Sequence, residues 1–146
     1  MINFTYNSDT LEFQSPRVLI EKIIKENGKE YLLLKIIGTE ACKSFCSKII
    51  ELEKCHSDNI KPFFNKNLPT SLIKSIFSEQ TFMVKVPFKN ENPQIDIYHA
   101  DNLFNYYHLA PGMEIICMLM CNNIWINFDN VASYNLTIKE ILVTKK

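Results

Sequence analysis

The chain has 146 residues, 47% hydrophobic and 12% aromatic, with 16 basic and 16 acidic side chains and a formal net charge of zero. That length suits a single domain spanning residues 1–146, and the apolar content excludes a disordered chain. Neutrality argues against a binder that relies on overall positive charge, while leaving room for one local basic patch.

Leu11 to Ile24 reads as extended, bent near Pro16. Glu26-Asn27-Gly28-Lys29 is a hairpin signal, because Asn-Gly supplies the two left-handed conformations of a type I′ turn. The return strand, Tyr31–Ile37, ends at Gly38. Leu32, Leu34 and Ile36 share one face of it, and Tyr31, Leu33, Lys35 and Ile37 the other. Ala41, Cys42, Phe45, Ile49 and Leu52 then recur at helical spacing, predicting a helix from about Glu40 to His56 with Thr39 as N-cap. A loop with Pro62 and Pro69 follows, then a short helix from Leu72 to Phe77.

Period two returns in the second half. Phe82, Val84, Val86 and Phe88 oppose Met83, Lys85, Pro87 and Lys89; Ile95 and Ile97 oppose Gln94, Asp96 and Tyr98. Leu103–Leu109 fits either a strand or a turn, and Pro111-Gly112 breaks the chain. Met113–Cys121 and Ile124–Phe128 are apolar runs separated by Asn122-Asn123, a pair suited to a tight hairpin turn. In the second run Trp125, the only tryptophan, alternates with Ile124 and Ile126 and falls on the polar side. Either something covers it or it stacks on a partner. A last strand, Ser133–Val143, is expected to bulge near Lys139-Glu140. The order of elements predicts a mostly β domain with a helical insertion (α+β). A small antiparallel barrel closed by a helix between the early and late strands is the natural way to remove sheet edges.

No chemistry-bearing motif stands out. Cys42 and Cys46, and Cys117 and Cys121, are spaced four apart, but zinc knuckles are absent and the thiols occupy apolar periodic positions, so buried thiols are the reading and no metal or cofactor is expected. Five cysteines, an odd number, point to reduced thiols inside a cell. His56, His99 and His108 are scattered, with His99 and Asp101 the nearest approach to an acid–base pair. Three glycines leave no material for a phosphate loop. An enzyme is therefore not expected. Met1-Ile2-Asn3-Phe4 lacks a basic secretory start and no apolar run approaches the ~20 residues of a membrane span, so no membrane partner is expected.

The positive signal is a set of aromatics and lysines opposite the apolar sets of their own strands: Trp125, Tyr31 and Tyr98, with Lys35, Lys85 and Lys89. Rings that stack on bases beside ammonium groups that meet phosphates suit single-stranded nucleic acid. Charge is uneven along the chain. Lys61 to Lys89 holds five lysines against Glu79, whereas Asn90 to Ile138 holds five acids and no lysine or arginine. Any phosphate contacts must come from the first half and the middle.

Leu11-Glu12-Phe13-Gln14-Ser15-Pro16-Arg17-Val18 resembles the first strand of a known family. The run Leu109–Trp125, containing PGMEIICMLMCNNIW, resembles the strand that leads to its Ile-Trp signature. The family is the predicted single-stranded-DNA-binding proteins of nucleocytoplasmic large DNA viruses, akin to small phage-type binding proteins. The resemblance implies an OB-like barrel and sequence-tolerant binding of single-stranded DNA in viral replication, recombination or repair. It implies a place at replication sites in host cytoplasm or nucleus, or in the virion. Three features depart from the family: Val131-Ala132 in place of a Phe-Gly pair, an end at Thr144-Lys145-Lys146 in place of an acidic tail, and no cation around Trp125. The alternative expectation is a minor virion component or interaction module, with a homo-oligomer or viral protein on the same aromatic face.

Overall fold

The structure, a computed structural model, describes residues 2–4, 11–64, 79–121, 124–126, 132–134 and 136–146, with only the backbone path described for 2–4, 11, 55–64, 124–126 and 132–134. The expected Leu72–Phe77 helix and Asn122-Asn123 turn lie outside the described residues.

Five strands close a barrel: β3 (Val18–Glu26), β4 (Lys29–Ile36), β5 (Thr81–Val86), β13 (Leu136–Lys145) and β10 (Glu114–Cys121), using the numbering of strands along the whole chain. Round the ring each pairs with the next, and β10 pairs with both β13 and β3. In barrel order this is 1-2-3-5-4, returning to 1. It is an OB-like barrel, as expected, except that its β5–β13 pair is parallel. β3 and β4 meet through Asn27 and Gly28, both at positive φ, as the type I′ reading requires.

Alternation fills the interior. Val18, Ile20, Leu32, Leu34, Ile36, Phe82, Val84, Ile115, Cys117, Leu119, Ile138 and Ile141 are all buried. Bulges bend two of the strands so that the sheet can close: Glu21 is extra between Ile20 and Lys22, and Lys139 is extra where Met118 faces Glu140 but Leu119 faces Ile138. The predicted bulge in the last strand is therefore present.

The helix α1 (Thr39–Phe64) plugs the end of the barrel at the close of β4. Its first bond runs from the Cys42 N–H to the Gly38 carbonyl, so Gly38, with φ 92°, takes the capping place expected of Thr39. It continues beyond His56 through Pro62, whose ring removes one backbone donor near the last turn. Cys42, Phe45, Cys46, Ile49 and Leu52 form its buried stripe, and the Phe45 ring meets Phe82 at 4.9 Å and Phe13 at 6.1 Å between centroids. At the opposite end a short 3₁₀ turn, Tyr106–His108, brings Tyr106 down on Glu30 at the start of β4.

Smaller strands decorate the barrel. β2 (Leu11–Gln14) extends the sheet beside β10. At the corner after it the Ser15 hydroxyl accepts the Cys117 N–H at 2.9 Å. β6 (Phe88–Lys89) and β7 (Asn92–Pro93) form a tiny hairpin across Asn90 and Glu91, and β8 (Asp96–His99) and β9 (Asn102–Leu103) continue the sheet beyond β13. β1 (Ile2–Phe4), β11 (Ile124–Ile126) and β12 (Ala132–Tyr134) make a separate three-stranded sheet. This corrects the expected hairpin between Met113–Cys121 and Ile124–Phe128. Both edges of β10 are occupied, by β13 and by β3 and β2, so β11 pairs instead with β1 and β12.

Among the described side chains Phe45 is the largest that joins helix to barrel. Phe45→Ala is expected to lower the unfolding free energy by about 3–5 kcal/mol in a urea titration. A loss below about 1 kcal/mol would mean that the helix does not plug the barrel.

Candidate nucleic-acid interface

On the outside of β3, β4 and β5 the register builds three rows. Ile24, Tyr31 and Lys85 lie side by side; next come Lys22, Leu33 and Met83; then Leu19 and Lys35, with buried Thr81 ending the row. Tyr31 and Lys85 are thus direct cross-strand neighbours, although they are distant in sequence. Lys35 lies two rows further along, about 13 Å from the Lys85 position by strand rise. The helix meets Phe82 from the barrel end rather than covering this side, and Met83 remains 46% exposed. Lys22 and Lys35 are exposed and Lys85 is half-buried, none with an ion-pair partner among the described residues.

The other sequence-predicted residues distribute differently. Lys89 is exposed in the β6–β7 hairpin immediately after β5, opposite Asn92. Trp125 lies in the connection between the fourth and fifth barrel strands, its backbone paired with Asn3 and Ser133; its side chain lies outside what is described. Tyr98 is not brought to the others. It is 38% exposed on β8, with Leu142 on one side and Leu103 on the other.

Sequence reasoning did not single out the mouth beside the Asn-Gly turn. A cavity of about 300 Å³ opens there between Lys25, Lys29, Glu30 and Phe88. Glu30 is buried, accepts the Tyr106 hydroxyl, and lies 3.4 Å from the Lys25 ammonium. Burial, and then the Glu30 carboxylate, push the Tyr106 hydroxyl's pKa well above its ordinary value. Phe88 meets Tyr106 edge-on at 5.8 Å. The readable signal was the turn itself: its register sets Lys25 opposite Glu30 and Lys29 opposite Glu26.

The described thiols face inward. Cys42, Cys46, Cys117 and Cys121 are buried. Burial lifts Cys46 to about 11, helped by Cys42, and lifts Cys117 to about 12 against a hydrogen bond from Ser15. Among the described residues no cluster of three His, Cys, Asp or Glu side chains is arranged to hold a metal ion. His99 packs edge-on against Phe104 at 6.3 Å rather than pairing with Asp101. Among the described residues no helix is long and apolar enough to cross a membrane.

Fold and surface together define an OB-like barrel whose second and third strands carry an outward aromatic–lysine face, the side that such barrels use for oligonucleotides and oligosaccharides. No family model, curated protein or solved structure matches the chain.

Two outcomes follow from the buried groups. Tyr106→Phe leaves the Glu30 carboxylate without its hydroxyl donor and is expected to cost about 1–3 kcal/mol, read from urea midpoints. The raised thiol pKa values give stability that is complete below the unfolded value of 9.0 and lost as pH rises toward about 11 for Cys46 and about 12 for Cys117. Between about pH 8 and about pH 10 the unfolding midpoint should therefore fall further in the native chain than in a Cys46→Ala, Cys117→Ala double variant. Equal falls would count against protonated, buried thiols.

Proposed function

We propose that this protein is a non-catalytic binder of single-stranded DNA with little sequence preference, acting through the outer face of β4 and β5. The observation that carries the reading is the adjacency of Tyr31 and Lys85 on that face, with Lys22 and Lys35 in the next rows. A ring that stacks on a base next to an ammonium that meets its phosphate is the minimal unit of sequence-tolerant binding. Lys89 extends the cationic side at the β6–β7 hairpin. Trp125, in the connection between the fourth and fifth barrel strands, occupies one of the two loops through which OB-like barrels reach a bound strand; the Asn27-Gly28 turn is the other. The resemblance of Leu11–Val18 and Leu109–Trp125 to the single-stranded-DNA-binding family of large DNA viruses supports the same ligand, and with it a role in viral DNA replication, recombination or repair.

A protein-binding role for this face is favoured by one observation, the exposure of Met83 beside half-buried Leu33. Oligonucleotide titration followed by Trp125 fluorescence and by anisotropy of a labelled strand decides between the two. The expected result is binding whose log–log salt slope is about −2, as about three neutralised phosphates require on a single strand. Tyr31→Ala should weaken it by about 1–3 kcal/mol. Lys85→Ala should flatten the slope by about 0.7 and weaken all sequences alike. Absence of binding at low salt, or unchanged binding in both variants, would overturn the assignment to this face.

A further inference from the structure

A second surface has the opposite chemistry. On the outside of β10, β13, β8 and β9 the register lines up Ile116, Leu142, Tyr98 and Leu103 in one lateral row. Leu142 is 42% exposed and Leu103 79% exposed, so the row is a continuous apolar stripe at the surface. Two residues along the same strands, and on the same face, Met118, Glu140 and Asp96 form the neighbouring row. Glu140 and Asp96 thus stand directly opposite one another on adjacent strands. Like charges in that arrangement destabilise a sheet, and neither has an ion-pair partner among the described residues. The nearby Lys139 is engaged chiefly with Glu12, at 2.9 Å, and attracts Glu140 only as a lesser electrostatic neighbour. Where the two rows meet, a cavity of about 170 Å³ opens between Tyr98, Ile116, Met118, Glu140 and Leu142.

We propose that this face docks a protein segment carrying an arginine or lysine flanked by apolar side chains. The apolar stripe supplies burial. The paired carboxylates supply the charge that selects the partner, and the Tyr98 ring offers a face for the cation. Charge complementarity excludes a nucleic acid here, because its phosphates would meet the carboxylates. A second copy of this chain is disfavoured by the same charges, since a two-fold contact centred on the patch brings two Glu140–Asp96 pairs together. The proposal is independent of the nucleic-acid reading: it uses other strands, and Tyr98 moves from a stacking residue for bases to the wall of a protein site.

Three synthetic strand peptides test it on the full-length, isotope-labelled protein by amide chemical shifts: one alternating leucine and arginine, one serine and arginine, one leucine and glutamate. The expected result is saturable shifts at Tyr98, Leu103, Ile116 and Leu142 with the leucine–arginine peptide, and binding at least about tenfold weaker for the other two. Asp96→Lys with Glu140→Lys should weaken the leucine–arginine peptide by a similar factor and favour the leucine–glutamate one. Leu142→Asp, a second exposed position, should weaken it without altering the fold seen by circular dichroism. Equal binding of all three peptides, shifts centred elsewhere, binding unaffected by either variant, or self-association through these residues in sedimentation would each overturn the proposal.

Discussion

Strand β13 has three partners. It pairs with β10 along one edge, and on the other it pairs first with β5 at Leu136 and Thr137, then with β8 from Glu140 to Val143. A flat strand has no reason to leave one neighbour for another partway along. The extra residue Lys139 falls between those two contacts, and a bulge there raises the local twist and turns the strand. The first part of β13 can then close the ring against β5, while the second part leans away and carries β8 and β9 as an extension. Without the change of direction the barrel stays open at β5, and neither outer face has its present composition. Both surfaces considered above descend from this one irregularity: the lysine face lies on the strands that the closure completes, and the acidic apolar face on the strands that the bend adds.

A net charge of zero is compatible with two strongly different faces because the ring separates them. Lys22, Lys35 and Lys85 lie outside β3, β4 and β5; Glu140 and Asp96 lie outside β13 and β8. The 16 basic and 16 acidic side chains of the whole chain cancel, but at physiological ionic strength exposed charges are screened beyond about 8 Å, so each face presents its own sign to a partner. Composition therefore understates what the surface can do. Neutrality argued against nucleic acid only for a chain whose charges are mixed, and here the strands sort them.

Local rules were legible where the deciding physics is local. Asn27-Gly28 specified a turn, the alternation from Leu32 to Ile36 specified an inner face, the spacing of Cys42, Phe45 and Ile49 specified a helix, and the bulge at Lys139 was readable as a break in alternation. What failed was competition between distant segments. Asn122-Asn123 looked like the turn of a hairpin, but β10 had better partners for both edges, a fact set by β2, β3 and β13 and invisible in any short window. Tyr98 was correctly placed on an outward face, yet which neighbours it would have depended on β13 turning toward β8. The Tyr31–Lys85 adjacency has the same origin: each residue was identified by alternation, and only the β4–β5 register joined them.

At the mouth of the barrel, structure and site compete for the same cations. Glu30 points into the end that Tyr106 covers, and a buried carboxylate must be satisfied there. The Tyr106 hydroxyl meets one oxygen, and Lys25 lies near the other. Lys25 is therefore largely committed to neutralising Glu30, and Lys29 stands opposite Glu26 in the same hairpin. With two lysines against two glutamates, the β3–β4 hairpin adds shape but no net charge, and Phe88 of β6 lines the cavity beside it. Lys22, Lys35 and Lys85, none with an ion-pair partner among the described residues, follow the barrel wall rather than the mouth. On the proposed reading, a bound strand of nucleic acid would therefore follow the wall along β4 and β5, crossing Tyr31, rather than start from the charge-balanced mouth.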